Sequence, residues 1–336
     1  MIPNEKIYKD FWQEIEKYNS FLIVTHIRPD GDAISSVILM AYILSKKNKR
    51  YNILLNDNFP LKYNFLKDKY YKIIIPELLI VPDNKDLLNM LPENYFPEVI
   101  IILDTCGKDR LGNFAKYFNK ARIFLNLDHH LGERFFKGKV DLVDRNASAT
   151  GEILFDLIDV NNFEVDLTVA ELSYTAIVAD TRFFTQPNTT SHTLEVAARC
   201  LEKGVSPEYI YKKFSEKDIN TVKVFGIVMS RAKMENNIIL SFIKNEEIEM
   251  CKDNDLDGLI EILRDIEGAR GAVLFKELDK NKIKVSLRGK DGFDVFRIAE
   301  KFNGGGHKQA AGCTIEKNLE ETMEIIKREL QLLSGK

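Results

Sequence analysis

Apolar runs and amphipathic stretches alternate through the first half of the chain. FLIVTH (21–26), YNILL (51–55), VIIILD (99–104) and ARIFLNLD (121–128) read as strands. AISSVILMAYILSKK (33–47), 150–160 and 166–179 carry the helical period, and a further helix over 190–203 stops at Gly204, a suitable C-terminal cap. Strand-helix-strand units of this kind predict an α/β fold whose mainly parallel sheet is covered on both faces. In GVSPEYIYKKF (204–214), Ser206 as cap and Pro207 in the first turn predict a short helix. Beyond it, IILSFI (238–243), GAVLF (271–275) and KIKVSL (282–287) read as strands, and 318–333 as a closing amphipathic helix. The pattern predicts two domains, 1–205 and a smaller α/β unit at 231–336, joined by a linker at 206–230.

Polar residues that end the apolar runs change the picture. THIRPDGDA (25–33) places His26, Asp30 and Asp32 close together, Asp104 ends VIIILD, Asp128-His129-His130 ends FLNLDHH, and Asp180 follows AIVA. Residues just past strand ends share one edge of a sheet. Carboxylates crowded there repel one another unless they protonate or a cation neutralises them. A single Asp after a strand is ordinarily a helix cap or turn residue. The Asp-x-Asp and His-His pairs, repeated at successive ends, point instead to a metal site. Mixed carboxylate and imidazole donors suit a first-row divalent ion such as manganese, and five or six ligands suit two ions.

Composition sets outer bounds. The 336 residues are 45% hydrophobic and 29% charged, as in an ordinary globular protein. No apolar stretch reaches the roughly 18–20 residues of a membrane span, and the opening MIPNEKIYKDFWQEIEKY lacks a secretory hydrophobic region, so a cytoplasmic protein without membrane contact is expected. Cys106, Cys200, Cys251 and Cys313 form no Cys-x-x-Cys pair, and Cys106 reads as a small apolar filler or a residue lining the site. The net charge of −3 disfavours a broad grip on long nucleic acid but leaves room for a small anionic substrate in a local pocket. The Lys, Asn and Tyr richness of 46–72 reads as a solvated surface.

These motifs together resemble the DHH phosphoesterase family: THIRPDGDA, Asp104, the Asp-His-His triplet and Asp180 match its four N-terminal motifs, and FNGGGHKQAAG (302–312) resembles the signature of its associated C-terminal domain. In length and layout the chain is similar to the NrnA-type oligoribonucleases, which degrade very short RNAs and dephosphorylate adenosine bisphosphate (pAp), and to stand-alone cyclic-di-AMP phosphodiesterases. The resemblance implies a catalytic domain facing a smaller substrate-binding domain across a cleft. It implies that His26, Asp30 and Asp104 hold one metal and Asp32, Asp104, His129 and Asp180 a second, with Asp104 bridging. Manganese is expected, with magnesium or cobalt as alternatives. Paired ions about 3.5–4 Å apart acidify a bound water and stabilise phosphoryl charge, so no protein nucleophile is needed. Asp128 is expected to orient a ligand, and His130 either to meet substrate phosphate and the leaving oxygen or to serve as a structural histidine. Gly304, Gly305, Gly306, His307 and Arg288 are expected to clamp substrate, the glycines by letting backbone N–H groups approach an anion and Arg288 by its planar fork. A loop and a surface ion pair are their ordinary alternatives.

The remaining features read modestly. His192 sits at a helix start without assigned chemistry; Phe183 and Phe184 read as core, with stacking on a base if exposed; NASATGE (146–152) resembles a family stretch beside the active site, although Ser148 and Thr150 serve equally as caps. Ser35, Gly289 and Arg182 depart from the family pattern, which has Gly, Ser and Gly there, without removing a ligand. The leading expectation is hydrolysis of very short RNA and linear dinucleotides to nucleoside monophosphates, and of pAp, with cyclic-di-AMP hydrolysis as alternative. A long-strand RecJ-like exonuclease, a family II pyrophosphatase, an RNA-binding protein and a non-catalytic nucleotide-binding regulator are disfavoured. A homodimer is compatible with the resemblance.

Overall fold

The computed structural model describes residues 5–74, 78–80, 97–105, 107, 110–112, 114, 123–130, 137–251, 256, 258–290 and 292–334. Cys106 and the start of the ARIFLNLD run lie outside them. The chain divides into two compact units, Met1–Ser215 and Glu216–Lys336.

In the first unit, β1 (Ser20–Val24) is buried along its whole length because it has a parallel neighbour on each side, β2 (Arg50–Leu55) and β4 (Val99–Leu103). With β3 (Leu78–Ile80), β5 (Ile123–Asp128) and β6 (Val140–Val143), the order is β3-β2-β1-β4-β5-β6, all parallel. The chain winds outward from β1 to β3 and then returns to lay β4 on the opposite side of β1. A topological switch point therefore falls between β1 and β4, where crossovers leaving in opposite directions open a crevice at the strands' carboxyl ends. Strand alternation sends Phe21 and Ile23 into one core and Leu22 and Val24 into the other. The short, half-buried β6 escapes the sequence reading because VDLV carries neither a long apolar run nor clean alternation.

Helices α1 (Glu5–Lys17), α2 (Gly31–Lys46), α3 (Asn64–Lys69), α4 (Tyr71–Ile74), α5 (Thr150–Val160), α6 (Leu167–Asp180), α7 (Ser191–Glu202) and α8 (Pro207–Ser215) complete this unit. α2 is buried from Gly31 to Leu44 and packs against α5 and α6. α5 approaches α6 closely at Gly151, where an added Cβ would come within 2.2 Å of the Ala176 Cβ.

In the second unit, α9 (Ile219–Ser230) precedes β7 (Lys233–Glu235), β8 (Ile238–Ile243), α10 (Asn245–Met250), α11 (Leu259–Arg264), β9 (Gly271–Asp279), β10 (Lys282–Gly289), α12 (Phe296–Lys301), β11 (Gly305–His307), β12 (Ala310–Ile315) and α13 (Leu319–Ser334). The sheet order is β11-β12-β10-β9-β8-β7, antiparallel except for β8 with β9. The 206–230 interval is helical: α8 sinks Ile210 into the first unit's core and α9 sinks Val224 and Val228 into the second's. Among the described residues no helix is long and apolar enough to cross a membrane.

His192, on the first turn of α7, reaches Asp156 of α5 with Nε2 at 3.0 and 2.9 Å from its two carboxylate oxygens. Asp156 lifts His192 to about 9, while burial raises Asp156 itself despite the imidazole. The charged imidazole therefore stabilises the fold fully below its ordinary value near 6.5 and loses that contribution as pH rises through about 9. Thermal unfolding should show stability falling across this window, and His192→Gln should flatten the slope.

Two glycines give a paired packing prediction. Gly151→Ala should cost about 1–3 kcal/mol by forcing α5 off α6. Gly226→Ala, inside α9 with no atom within 4 Å of an added Cβ, should stabilise by about 0.5–1 kcal/mol in denaturant titrations.

Candidate metal centre

The carboxyl ends of β1, β4 and β5 bring His26, Asp104, Asp128, His129 and His130 to the switch point, and the two segments that complete the cluster come from helix ends. Asp30 precedes α2 and does two jobs. Its Oδ1 caps the helix by accepting the Ala33 N–H at 3.1 Å, while Oδ2 lies 3.9 Å from His26 Nε2. Asp180 is the last residue of α6, so this acidic group arrives from a helix rather than from a strand.

Asp104 sits at the centre. It is buried and left-handed (φ 61°), a conformation that Asp tolerates better than most residues and that turns the chain sharply after β4. Its Oδ2 lies 3.3 Å from His26 Nε2, and its Oδ1 lies 3.5 Å from His129 Nε2 and 3.4 Å from His130 Nδ1. His129 Nε2 also stands 3.1 Å from Asp180 Oδ2 and 3.8 Å from Asp32 Oδ2. Two sets of donor atoms each converge within 4.8 Å: His26, Asp30 and Asp104, and Asp32, His129 and Asp180. A further set, Asp104, His129 and His130, overlaps both.

The donor chemistry fits a cation. His26 Nδ1 donates to the Ile27 carbonyl at 2.8 Å, which leaves the Nε2 lone pair facing carboxylate oxygens unless it binds a proton or a metal. The buried Nε2 atoms of both His26 and His129 lack a partner with hydrogen-bond geometry. Asp32 accepts from Thr150 N at 2.6 Å, Gly151 N at 2.9 Å and Ser36 Oγ at 2.9 Å, donors suited to an ionised carboxylate. Burial and the charges of Asp104 and Asp180 nevertheless push Asp32 well above its ordinary range. Partial desolvation, then the same two charges, lift Asp30 to about 6, although half its side chain meets solvent. Burial also opposes charge on Asp104, but the neighbouring His129 and His26 hold it below the usual carboxylate range, while Asp104 and Asp180 pull His129 up to about 12 against the effect of burial. By themselves these groups balance charge by retaining protons; a divalent ion does so while releasing them.

Asp128 serves its neighbour. Its Oδ1 accepts from the His130 backbone N–H at 3.1 Å and lies 2.8 Å from the ring Nδ1, fixing His130 rather than His129. NASATGE contributes more than a helix cap. The N-cap of α5, Ala149, has no capping side chain, and Asp32 takes the first N–H groups of the helix in its place. Thr150 Oγ1 donates to Asp104 Oδ1 at 3.0 Å, so one residue ties two cluster carboxylates together. The adjacent Ser, Thr and Gly of this stretch were the available sequence signal, but nothing in their spacing names a partner more than a hundred residues away.

After Asp180 and Thr181, Arg182, Phe183 and Phe184 are successively left-handed, at φ 46°, 56° and 64°. A glycine would take the first of these positions without steric cost. The turn is held by the Phe184 N–H donating to Thr181 Oγ1 and by edge-on packing of Phe183 on Tyr211 and Phe214 and of Phe184 on Tyr174, in line with the core reading of both phenylalanines.

In the second unit, Arg288 Nε donates to Glu261 Oε1 at 2.9 Å, the ion-pair role weighed for it. The glycine-rich segment forms an edge hairpin in which Gly305 pairs with Gly312, Gly306 with Ala311 and His307 with Ala310. An added Cβ at Gly304 or Gly306 would come within 2.3 Å of a carbonyl oxygen, whereas Gly305 faces open space. Two of the three glycines are thus demanded by the hairpin itself.

Comparison with known proteins accords with this geometry. Residues 20–177 match the N-terminal domain of the DHH family, and residues 235–333 match the DHHA1 domain. The chain thus carries a DHH-family N-terminal domain followed by a DHHA1 domain, the make-up of a metal-dependent phosphoesterase. It is 29% identical over 307 residues to the bifunctional oligoribonuclease and PAP phosphatase NrnA of Bacillus subtilis, covering 90% of this chain and 91% of that one. It is 27% identical to the protein of the same name from Thermus thermophilus, over 92% of this chain and 89% of that one. In fold it matches the crystal structure of an exopolyphosphatase-related protein from Bacteroides fragilis, with TM-score 0.88, 24% identity and coverage of 98% and 96% of the two chains.

Thr150→Val should lower metal affinity about 10–100-fold, read with manganese as the probe ion, the usual cost of losing a group that orients a metal ligand. Thr150→Ser should retain most of it. Calorimetric metal titration separates these outcomes.

Proposed function

We propose that the protein hydrolyses very short oligoribonucleotides and linear dinucleotides to nucleoside monophosphates, and pAp to AMP, using two divalent ions, manganese by donor type. The observation that carries this reading is the convergence of two three-residue donor sets on either side of Asp104 at the switch point. His26, Asp30 and Asp104 would hold one ion, and Asp32, Asp104, His129 and Asp180 the other. When bound, such ions supply Lewis-acid stabilisation of phosphoryl charge and an acidified water. The relatives' names supply the substrate class.

The chain's own groups set the geometry of this chemistry. Asp104 and Asp32 are held rigid by Thr150 and the start of α5, a precondition for in-line attack on a positioned phosphate. His130, with Nδ1 occupied by Asp128, keeps Nε2 for a substrate phosphate or for a proton at the leaving oxygen. The reading gives residues 1–205 the chemistry and 231–336 the holding of substrate, with 206–230 joining them. Arg288, Gly304, Gly305, Gly306 and His307 act there, Gly305 as the open backbone position and Arg288 as a guanidinium steadied by Glu261. The buried Cys200 and Cys313, outside any disulfide, suit a reducing compartment, and we place the protein in the cytoplasm.

The test is a substrate panel in manganese: pAp, linear two- to five-mers, cyclic dinucleotides, pyrophosphate and a twenty-mer. Short linear RNA and pAp should lead. Equal turnover of two-mer and twenty-mer, or a lead by cyclic dinucleotide, rejects the reading. Asp104→Asn should reduce hydrolysis about a thousandfold or more, since several kcal/mol of charge stabilisation is lost, while the circular dichroism spectrum persists.

A further inference from the structure

Two segments with no part in the chemistry above pack together beside the metal cluster, within the first unit. LKYNFLKDKYYK (61–72) and α8, PEYIYKKFS (207–215), both interleave lysine with aromatic residues. Phe214 meets Tyr63 at 5.8 Å and Phe65 at 6.3 Å between ring centroids, and Phe65 meets Tyr209 at 6.3 Å. Phe183 joins from the left-handed turn, 5.1 Å from Tyr211 and 5.7 Å from Phe214.

The inner end of this aromatic group abuts the cluster. A Cβ at Gly31, between Asp30 and Asp32, would lie 3.3 Å from ring carbons of both Phe214 and Tyr63, and Phe183 stands just past Asp180 in the chain. The outer end is open, with Tyr211 56% exposed and Tyr209 39% exposed. Charge follows the same surface. Lys62 lies over the Phe214 ring and Lys213 over the Tyr209 ring, each at 5.5 Å from the centroid. The two segments hold six lysines against two acidic residues on a chain of net charge −3. Lys69 among them is taken by Glu171. Burial explains Phe214 and Tyr63; it does not explain a large ring held edge-on by Phe183 yet left mostly in solvent, next to consecutive lysines.

We propose that Tyr211, supported by Phe183 and accompanied by Lys212, Lys213 and Lys62, is a stacking subsite for a further base of single-stranded RNA whose phosphodiester lies at the metal cluster. The proposal rests on the oligoribonuclease reading and adds where the strand runs. An exposed tyrosine offers a rigid π-face to any base at small entropic cost, and lysines neutralise the phosphates on either side. Electrostatic attraction of this local kind needs no overall basic charge. The subsite would act on oligonucleotides and not on pAp, which has no further base to stack.

The experiment compares kcat/KM for an RNA four-mer with that for pAp in wild type, Tyr211→Ala and Tyr211→Trp. The four-mer to pAp ratio should fall about tenfold in Tyr211→Ala, the scale of one base-aromatic stack. Tyr211→Trp should restore it. An unchanged ratio, or a ratio lost equally in the Trp variant, overturns the proposal. Fluorescence tests the subsite apart from catalysis. Trp12, the chain's one native tryptophan, is buried, so the Tyr211→Trp signal should be quenched saturably by the four-mer in EDTA and recover at high salt. No quenching overturns the subsite; quenching without hydrolysis of either substrate overturns the functional reading and leaves the subsite standing.

Discussion

Crowding of carboxylates around Asp104 is the constraint on which the first unit is organised. A buried aspartate within 3.5 Å of three imidazole nitrogens, with Asp30, Asp32 and Asp180 close by, is unfavourable in a low-dielectric interior without compensating positive charge. The fold arranges that compensation in layers. Imidazoles face the centre, backbone N–H groups of α5 meet Asp32, the Thr150 hydroxyl meets Asp104, and the whole surrounds a locus suited to divalent ions. The same parallel sheet that buries β1 on both sides creates the crevice, because its strand order reverses direction between β1 and β4.

Several residues carry two loads, which explains how so polar a site coexists with a close-packed core. Asp30 caps α2 with one oxygen and faces His26 with the other. Gly31 permits α2 to pass within contact of Ala179, Phe214 and Tyr63, and Gly151 does the same for α5 against Ala176. Helix approach therefore sets the separation of the donor groups. The left-handed run at 182–184, costing about 1–2 kcal/mol per residue, is held in place by the aromatic packing of Phe183 and Phe184 and fixes the chain as it leaves Asp180.

Much of this was legible from the residue pattern. The strands at β1, β2, β4 and β5, the long buried α2, and the helices α5, α6 and α7 follow from apolar runs with the right period and from punctuation such as Gly204. β6 was not, since VDLV is too short and mixed, and neither was the separate helix α9 inside the interval read as a linker. The glycine-rich segment reads as an anion-binding loop, yet Gly304 and Gly306 are required by the edge hairpin, leaving Gly305 as the open position. The Lys, Asn and Tyr richness of 46–72 reads as solvated surface, and Tyr71 is exposed; Tyr63 and Phe65 instead pack on α8.

By itself the sequence determined the alternation of strand and helix, the presence of a carboxylate and imidazole set at successive element ends, and the family those motifs define. These are local properties, encoded in periods of two and 3.6 residues and in side-chain chemistry. Only the tertiary structure decided which donor meets which: that Asp128 steadies His130, that Asp32 caps a helix 118 residues away, that Thr150 spans two carboxylates, and that Arg288 lies against Glu261. Such pairings depend on strand order and on how closely helices approach, quantities that no local spacing contains.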